Sequence, residues 1–246
     1  VTPRNQRLDV VTFDYWNTLV YERPGELRTR RLDAWLGLLD EARIPVTRSA
    51  LDELFEQSWQ TFARMWRENR GQLQGPDAAR LILTDLGHDL TDELRDQLID
   101  AFVFAGDDAD INLAEGIGDV LPQLAEAGLR IGIICDVGMT PSPVLRAHLE
   151  RLDVLRFFDH WSFSDEVGVY KPDRRIFEHA LAGLGNPDQA RAAHVGDLRA
   201  TDVAGSRAMG MVSIRYTGVF DDPMVEGLPE ADHVVAAHSE LVDLLR

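Results

Sequence analysis

Short apolar runs alternate with helical stretches from Ile117 onward, and few folds satisfy that alternation. Ile131-Gly132-Ile133-Ile134, Ala192-Ala193-His194-Val195 and Met211-Val212-Ser213-Ile214 are largely apolar in succession, the pattern of strands covered on both faces. His160-Trp161-Ser162-Phe163 and His233-Val234-Val235 read as further short strands. Helical spacing fills the intervals: Leu121, Leu124 and Ala125, then residues 144–152, 172–184 and 201–209. Gly128 stops the first of these helices and Pro172 opens the third. Strands joined through helices run parallel by right-handed crossovers. Asp9-Val10-Val11-Thr12-Phe13 is another buried strand, expected to join the same sheet. The fold class is therefore α/β, with a Rossmann-like parallel sheet as the core.

Between that first strand and about residue 130 the pattern is helical. Leu27, Leu32, Trp35, Leu36 and Leu39 form one stripe, ended by Pro45. Thr47 is placed to cap a second helix, whose stripe is Leu51, Leu54, Phe55, Trp59, Phe62 and Trp66. Gly71, Gly75 and Pro76 mark a loop, and a short helix runs to about Leu86. Thr91, with Asp92 and Glu93 in the first turn, starts a helix carrying Leu94, Leu98 and Phe102. Residues 21–105 thus read as an all-helical cap, inserted into a core of residues 1–20 and 106–246. Trp59, Phe62 and Trp66 are expected in the cap's own core, with contact to an apolar substrate as the alternative. Asp107, Asp108 and Asp110 lack a calcium-loop pattern and read as a solvated linker.

A net charge of −17 disfavours nucleic acid and anionic membrane surfaces as partners. It is compatible with an anionic small molecule, because a bound cation reverses the local field. No apolar run is long enough to span a bilayer, and residues 1–7 lack an apolar secretory core. Cys135 is the sole cysteine, so an internal disulfide is impossible and a reducing cytoplasm is the expected location. No heptad seam is present, which leaves the oligomeric state open.

Chemistry-bearing residues follow successive strands. Asp14 follows the first, Cys135-Asp136 the second, Lys171 the third and Asp197 the fourth. In a parallel sheet the carboxyl ends share one edge, so these distant segments converge on one crevice. Asp14 is a candidate nucleophile, since a carboxylate can attack phosphorus or carbon and split one hard step into two; a helix cap or ion-pair partner is the alternative.

The ordered set Asp14-Tyr15-Trp16-Asn17-Thr18-Leu19, Lys171-Pro172 and Gly196-Asp197-…-Asp202 resembles the haloacid dehalogenase-like hydrolases, most of whose members are phosphatases. The resemblance implies catalysis by Asp14 and Lys171. It implies phosphate or substrate binding by Thr18, Cys135, Asp136 and Lys171, and Mg²⁺ held by Asp14, the Trp16 carbonyl and Asp197, with Asp202 in support. A small phosphorylated metabolite is the implied substrate. Hard oxygen donors of this kind suit Mg²⁺. For Asp202, capping the following helix is the alternative; for Cys135, a small buried residue is the favoured reading.

Trp16 departs from the family pattern, which has a second Asp there to protonate the leaving oxygen and then activate water. Loss of such a group typically removes roughly 10²–10⁴ in rate. Asn17 stands where the family has Gly and is among the few residues that tolerate a left-handed turn. The family's 2-haloacid dehalogenases also carry an aromatic residue at position 16, and they lack the Gly-Asp metal motif. Metal-dependent phosphatase, dehalogenase and catalytically impaired ligand binder are thus the three functions in play, in that order.

Overall fold

The structure, a computed structural model, describes residues 7–68, 73–107 and 109–245. Gly71, Asp108 and all but the last of residues 1–7 lie outside the described residues. In chain order the elements begin with β1 (Val10–Phe13), β2 (Val20–Glu22), α1 (Glu26–Glu41), α2 (Arg48–Arg67), α3 (Gly75–Leu86), α4 (Asp92–Phe104) and β3 (Ile111–Leu113). Next come α5 (Ile117–Glu126), β4 (Arg130–Cys135), α6 (Ser142–Arg151), β5 (His160–Phe163), α7 (Ser164–Val167) and α8 (Arg174–Gly183). The chain closes with β6 (Ala192–Gly196), α9 (Ala204–Ala208), β7 (Val212–Tyr216), β8 (His233–Val235) and α10 (Glu240–Leu245). They divide into two compact units.

The first unit comprises Val1–Tyr21, Asn112–Asp136 and Leu149–Arg246. Its sheet has the order β5-β4-β1-β6-β7-β8, and each neighbouring pair runs parallel. β1 lies in the interior of that order: Val10 stands opposite Arg130 on one side and Ala192 on the other. All four β1 residues are buried, which explains their near-continuous apolarity. Helix α8 buries Ile176, Phe177, Ala180 and Leu181 in a cluster with Val10, Ile134 and Met211. A fully buried side chain of Phe177's size contributes about 1.5–3 kcal/mol. That helix starts at Arg174 behind an Asp173 cap, not at Pro172 as expected, because the Asp173 side chain accepts from Arg175 N at 2.9 Å.

The second unit is helical and comprises Glu22–Ile111 with Val137–His148. Trp35 is its centre: fully buried, edge-to-face with Phe55 at 5.4 Å and Phe102 at 6.2 Å, and donating from Nε1 to Leu98 O at 2.7 Å. Thr47 and Thr91 cap α2 and α4, accepting from Ala50 N and Leu94 N. Gly75 and Pro76, expected in a loop, form the first turn of α3, where proline's missing N–H costs nothing.

Three other expectations need correction. Residues 137–148 group with the helices and not with the sheet, because buried Arg31 donates to Met139 O at 3.2 Å and to Thr140 Oγ1 at 3.0 Å. Gly75 reinforces this grouping, since a Cβ there would lie 2.6 Å from Met139 O. The 21–105 stretch is bounded by β2 and β3, which pair as a two-stranded sheet. Trp59 is 51% exposed: the buried stripe of α2 runs through Leu51, Phe55, Ser58 and Phe62, and Ser58 takes the place assigned to Trp59.

Candidate active site

β1 delivers Asp14 to the carboxyl edge of the sheet, where its N–H continues the ladder to Val195 O at 2.8 Å. The chain then turns back tightly: Asn17 N donates to Val20 O at 2.7 Å and Leu19 N to Tyr15 O at 2.9 Å. Asn17 adopts the left-handed conformation, φ 56°. Its side chain has a second task, donating from Nδ2 to Asp197 Oδ2 at 3.2 Å. Trp16 is half-buried and meets Tyr15 edge-on at 5.0 Å. Thr18 is fully buried, and its hydroxyl has no partner among the described residues.

Lys171 organises the site. Its Nζ lies 2.5 Å from Asp14 Oδ1 and 2.6 Å from Asp202 Oδ1, and all three side chains are buried. The Lys171-Pro172 peptide is cis. Asp136 accepts from Lys171 N at 2.9 Å through Oδ1, so this carboxylate is turned toward the lysine main chain. Cys135 is fully buried. Burial first, and then the charge of Asp14, push its thiol well above the ordinary range, which makes it inert as a nucleophile.

Asp197 completes a carboxylate trio with Asp14 and Asp202, with ligand oxygens within 4.8 Å of one another. Three acids face one ammonium. Burial raises Asp14 from 3.8 to about 7, with Lys171 opposing and Asp202 adding to the rise. Burial, then Asp14 and Asp202, hold Asp197 well above the carboxylate range. Burial opposes ionisation of Asp202 too, but Lys171 and His194 outweigh it and keep this acid below its ordinary value. The unmet charge therefore sits on Asp14 and Asp197, where a divalent cation would offset it.

Asp202 is saturated by the protein. Oδ1 accepts from Lys171 Nζ and from His194 Nε2 at 3.0 Å; Oδ2 accepts from Leu198 N at 3.0 Å and Thr201 Oγ1 at 3.3 Å. A carboxylate offers about four lone-pair sites, so Asp202 is suited to supporting a cation from behind rather than ligating it. Its capping bond to Leu198 N and its ion pair coexist. It projects from a π-helical turn, Arg199–Val203, a geometry frequent at functional sites. Gly196 makes this possible: a Cβ there would lie 2.2 Å from Asp202 Cγ.

The family model for haloacid dehalogenase-like hydrolases matches residues 8–210. The chain belongs to this family. Among its relatives, the pyrimidine 5'-nucleotidase YjjG of Escherichia coli is 39% identical over 84 residues, 34% of this chain and 36% of that protein. A glyceraldehyde 3-phosphate phosphatase of Pyrococcus abyssi is 37% identical over 102 residues, 41% of each chain. The matches thus span less than half the length of either relative. Two solved structures share the fold over nearly their whole length. The HAD phosphatase of Thermococcus onnurineus has a TM-score of 0.68 at 20% identity, covering 97% of this chain and 98% of its own. The 2-haloacid dehalogenase of Pseudomonas syringae has a TM-score of 0.69 at 23% identity, with the same coverage.

His194 of this haloacid dehalogenase-like hydrolase was not legible as a site residue, because a lone polar residue in an apolar strand carries no spacing signal. It is buried, and burial lowers its pKa against the pull of Asp202. The neutral ring therefore donates from Nε2 to Asp202, and its Nδ1 accepts from the Thr12 hydroxyl at 2.9 Å, a tautomer assigned from the partners. His194→Leu is expected to lose about 1.5–3 kcal/mol, the worth of a hydrogen bond to a charged group. Urea unfolding measures it, and His194→Gln, which keeps an N–H donor, should recover part of the loss.

Proposed function

We propose that this haloacid dehalogenase-like hydrolase is a Mg²⁺-dependent phosphatase of a small phosphorylated metabolite, working through an aspartyl-phosphate on Asp14. The observation that carries the reading is Lys171 bridging Asp14 and Asp202 beside Asp197. Phosphatase and nucleotidase names among the relatives support phosphoryl chemistry.

Asp14 attacks phosphorus, and the ester oxygen leaves. Lys171 holds Asp14 Oδ1 at 2.5 Å, which favours the carboxylate form and fixes the attacking group. Asp14 and Asp197 would hold Mg²⁺, with the Trp16 carbonyl as a further ligand. The ion, when bound, supplies Lewis-acid neutralisation of a phosphoryl oxygen. Asp202 holds Lys171 in place and is itself fixed by His194 and the Leu198 N–H. Water then attacks phosphorus and restores Asp14. The indole of Trp16 offers no exchangeable carboxyl proton for either step. A single cysteine, which cannot form an internal disulfide, supports a reducing cytoplasm as the place of action.

Hydrolysis of 4-nitrophenyl phosphate tests this reading, since its leaving group needs little protonation. Turnover is expected with Mg²⁺ and not with EDTA, and Mg²⁺ is expected to raise the melting temperature through binding to the folded state. Trp16 favours one second reading, carbon–halogen hydrolysis, where the leaving halide needs no proton. Halide release from 2-chloropropionate in EDTA, without phosphate release in Mg²⁺, would establish that reading instead. Absence of both activities in folded protein would leave a ligand-binding role.

A further inference from the structure

The parallel pair β1 and β4 brings another carboxyl to the sheet edge that holds Asp14. β1 and β4 pair with Val10 opposite Arg130 and Phe13 opposite Ile133. β4 ends at Cys135, so Asp136 leaves the neighbouring strand at the same carboxyl edge that receives Asp14 from β1. Asp14, Asp197 and Asp202 are buried, whereas Asp136 is only half-buried. Its Oδ1 is fixed by the Lys171 N–H at 2.9 Å, and the ammonium of that same lysine grips Asp14 at 2.5 Å. The charge of Asp136 is felt by that ammonium, after those of Asp14 and Asp202. An amide oxygen would serve the Lys171 N–H as well as a carboxylate does. What a carboxyl adds is a charge beside that ammonium and a transferable proton.

We propose that Asp136 is the general acid and base of the phosphoryl transfer, supplying from the end of the adjacent strand what Trp16 lacks. The proposal rests on the phosphatase reading above. In the first half-reaction an Asp14 oxygen bonds to phosphorus and the bond from phosphorus to the leaving oxygen breaks. The electron pair goes to that oxygen, and the Asp136 carboxylic acid gives it a proton. In the second half-reaction the Asp136 carboxylate takes a proton from water as the water oxygen bonds to phosphorus. The bond from phosphorus to Asp14 breaks, Asp14 leaves as a carboxylate, and Asp136 is again protonated.

The test compares two esters of nearly one shape, 4-nitrophenyl phosphate and phenyl phosphate. Phenol ionises near the tyrosine value of about 10, so its departure calls for a proton far more strongly. In Mg²⁺, Asp136→Asn is expected to lose roughly 10²–10⁴ in kcat/KM on phenyl phosphate, and at least tenfold less on the nitrophenyl ester. Asn keeps an acceptor for Lys171 N, so the melting temperature should stay near that of wild type, with Asp136→Ala as the variant that loses this bond as well. Equal losses on the two esters would overturn the proposal and make Asp136 a positioning residue for Lys171. So would an Asn variant as active as wild type beside an impaired Ala variant. Wild-type protein inert toward both esters would overturn the phosphatase reading itself, and this proposal with it.

Discussion

Asp14→Asn is expected to lower Mg²⁺-dependent kcat by at least about 10⁴, the scale seen when a covalent nucleophile is removed from a site that otherwise stays intact. Asn keeps the shape and one oxygen, so substrate can still be held, but an amide cannot form the acyl phosphate. The loss should therefore fall on kcat and leave KM within a few-fold. Stability should fall less than on loss of Lys171, because the ammonium keeps Asp202 as a partner. Burial first, with Asp202 adding and Lys171 opposing, raises Asp14 from 3.8 to about 7. Its folded form binds a proton more readily than its unfolded form, and the ionised group costs stability increasingly as pH rises from 3.8 to about 7. Neutral Asn removes that cost. Steady-state kinetics, mass spectrometry of acid-quenched protein and thermal melting check the three parts. A variant within tenfold of wild type would sink Asp14 as the nucleophile.

Lys171→Met carries the second large effect, and here stability and activity fall together. The ammonium is the cation between two buried carboxylates, at 2.5 and 2.6 Å. Burial works against its charge, and Asp14 and Asp202 outweigh that and hold its pKa well above the ordinary value. Removing one partner of a buried ion pair leaves uncompensated charge and costs about 3–5 kcal/mol. For a chain of this size that corresponds to roughly 6–20 °C in melting temperature. Mg²⁺ should return part of the lost stability, because Asp14 and Asp197 then gain another cation. A larger Mg²⁺-induced rise in the variant than in wild type is thus the signature. A melting temperature unchanged by the substitution would refute the role given to Lys171.

The sheet was legible because its strands are apolar on both faces, and the site because a parallel sheet gathers the residues after its strands at one edge. Asn17 illustrates how far residue chemistry carries: its tolerance of a left-handed turn was readable, and φ 56° is what the turn shows. Its bond to Asp197 was not readable, since nothing local announces a partner 180 residues away. β2 and β3 escaped notice for a different reason. Three residues each are too few for an alternation to declare itself. Trp59 shows the cost of weighting residue size over period: Ser58 lies on the buried stripe of α2 and donates to Ala78 O at 3.4 Å. The membership of residues 137–148 depended on Arg31, and a buried arginine reads from sequence as a solvated one.

The interior place of β1 in the sheet also constrains how the protein is made. On the ribosome β1 emerges first, yet its two neighbours follow much later, β4 from Arg130 and β6 from Ala192. At about 5–20 residues per second, the roughly 180 residues between Val10 and Ala192 take on the order of 10–40 s to appear. Until β6 appears, this buried strand keeps at least one unpaired edge, a template for pairing with other chains. The helical unit, whose contacts are mostly closer in sequence, can fold during the wait. The nascent chain therefore completes its carboxylate trio late, when β6 brings Asp197 and then Asp202 to an Asp14 made long before.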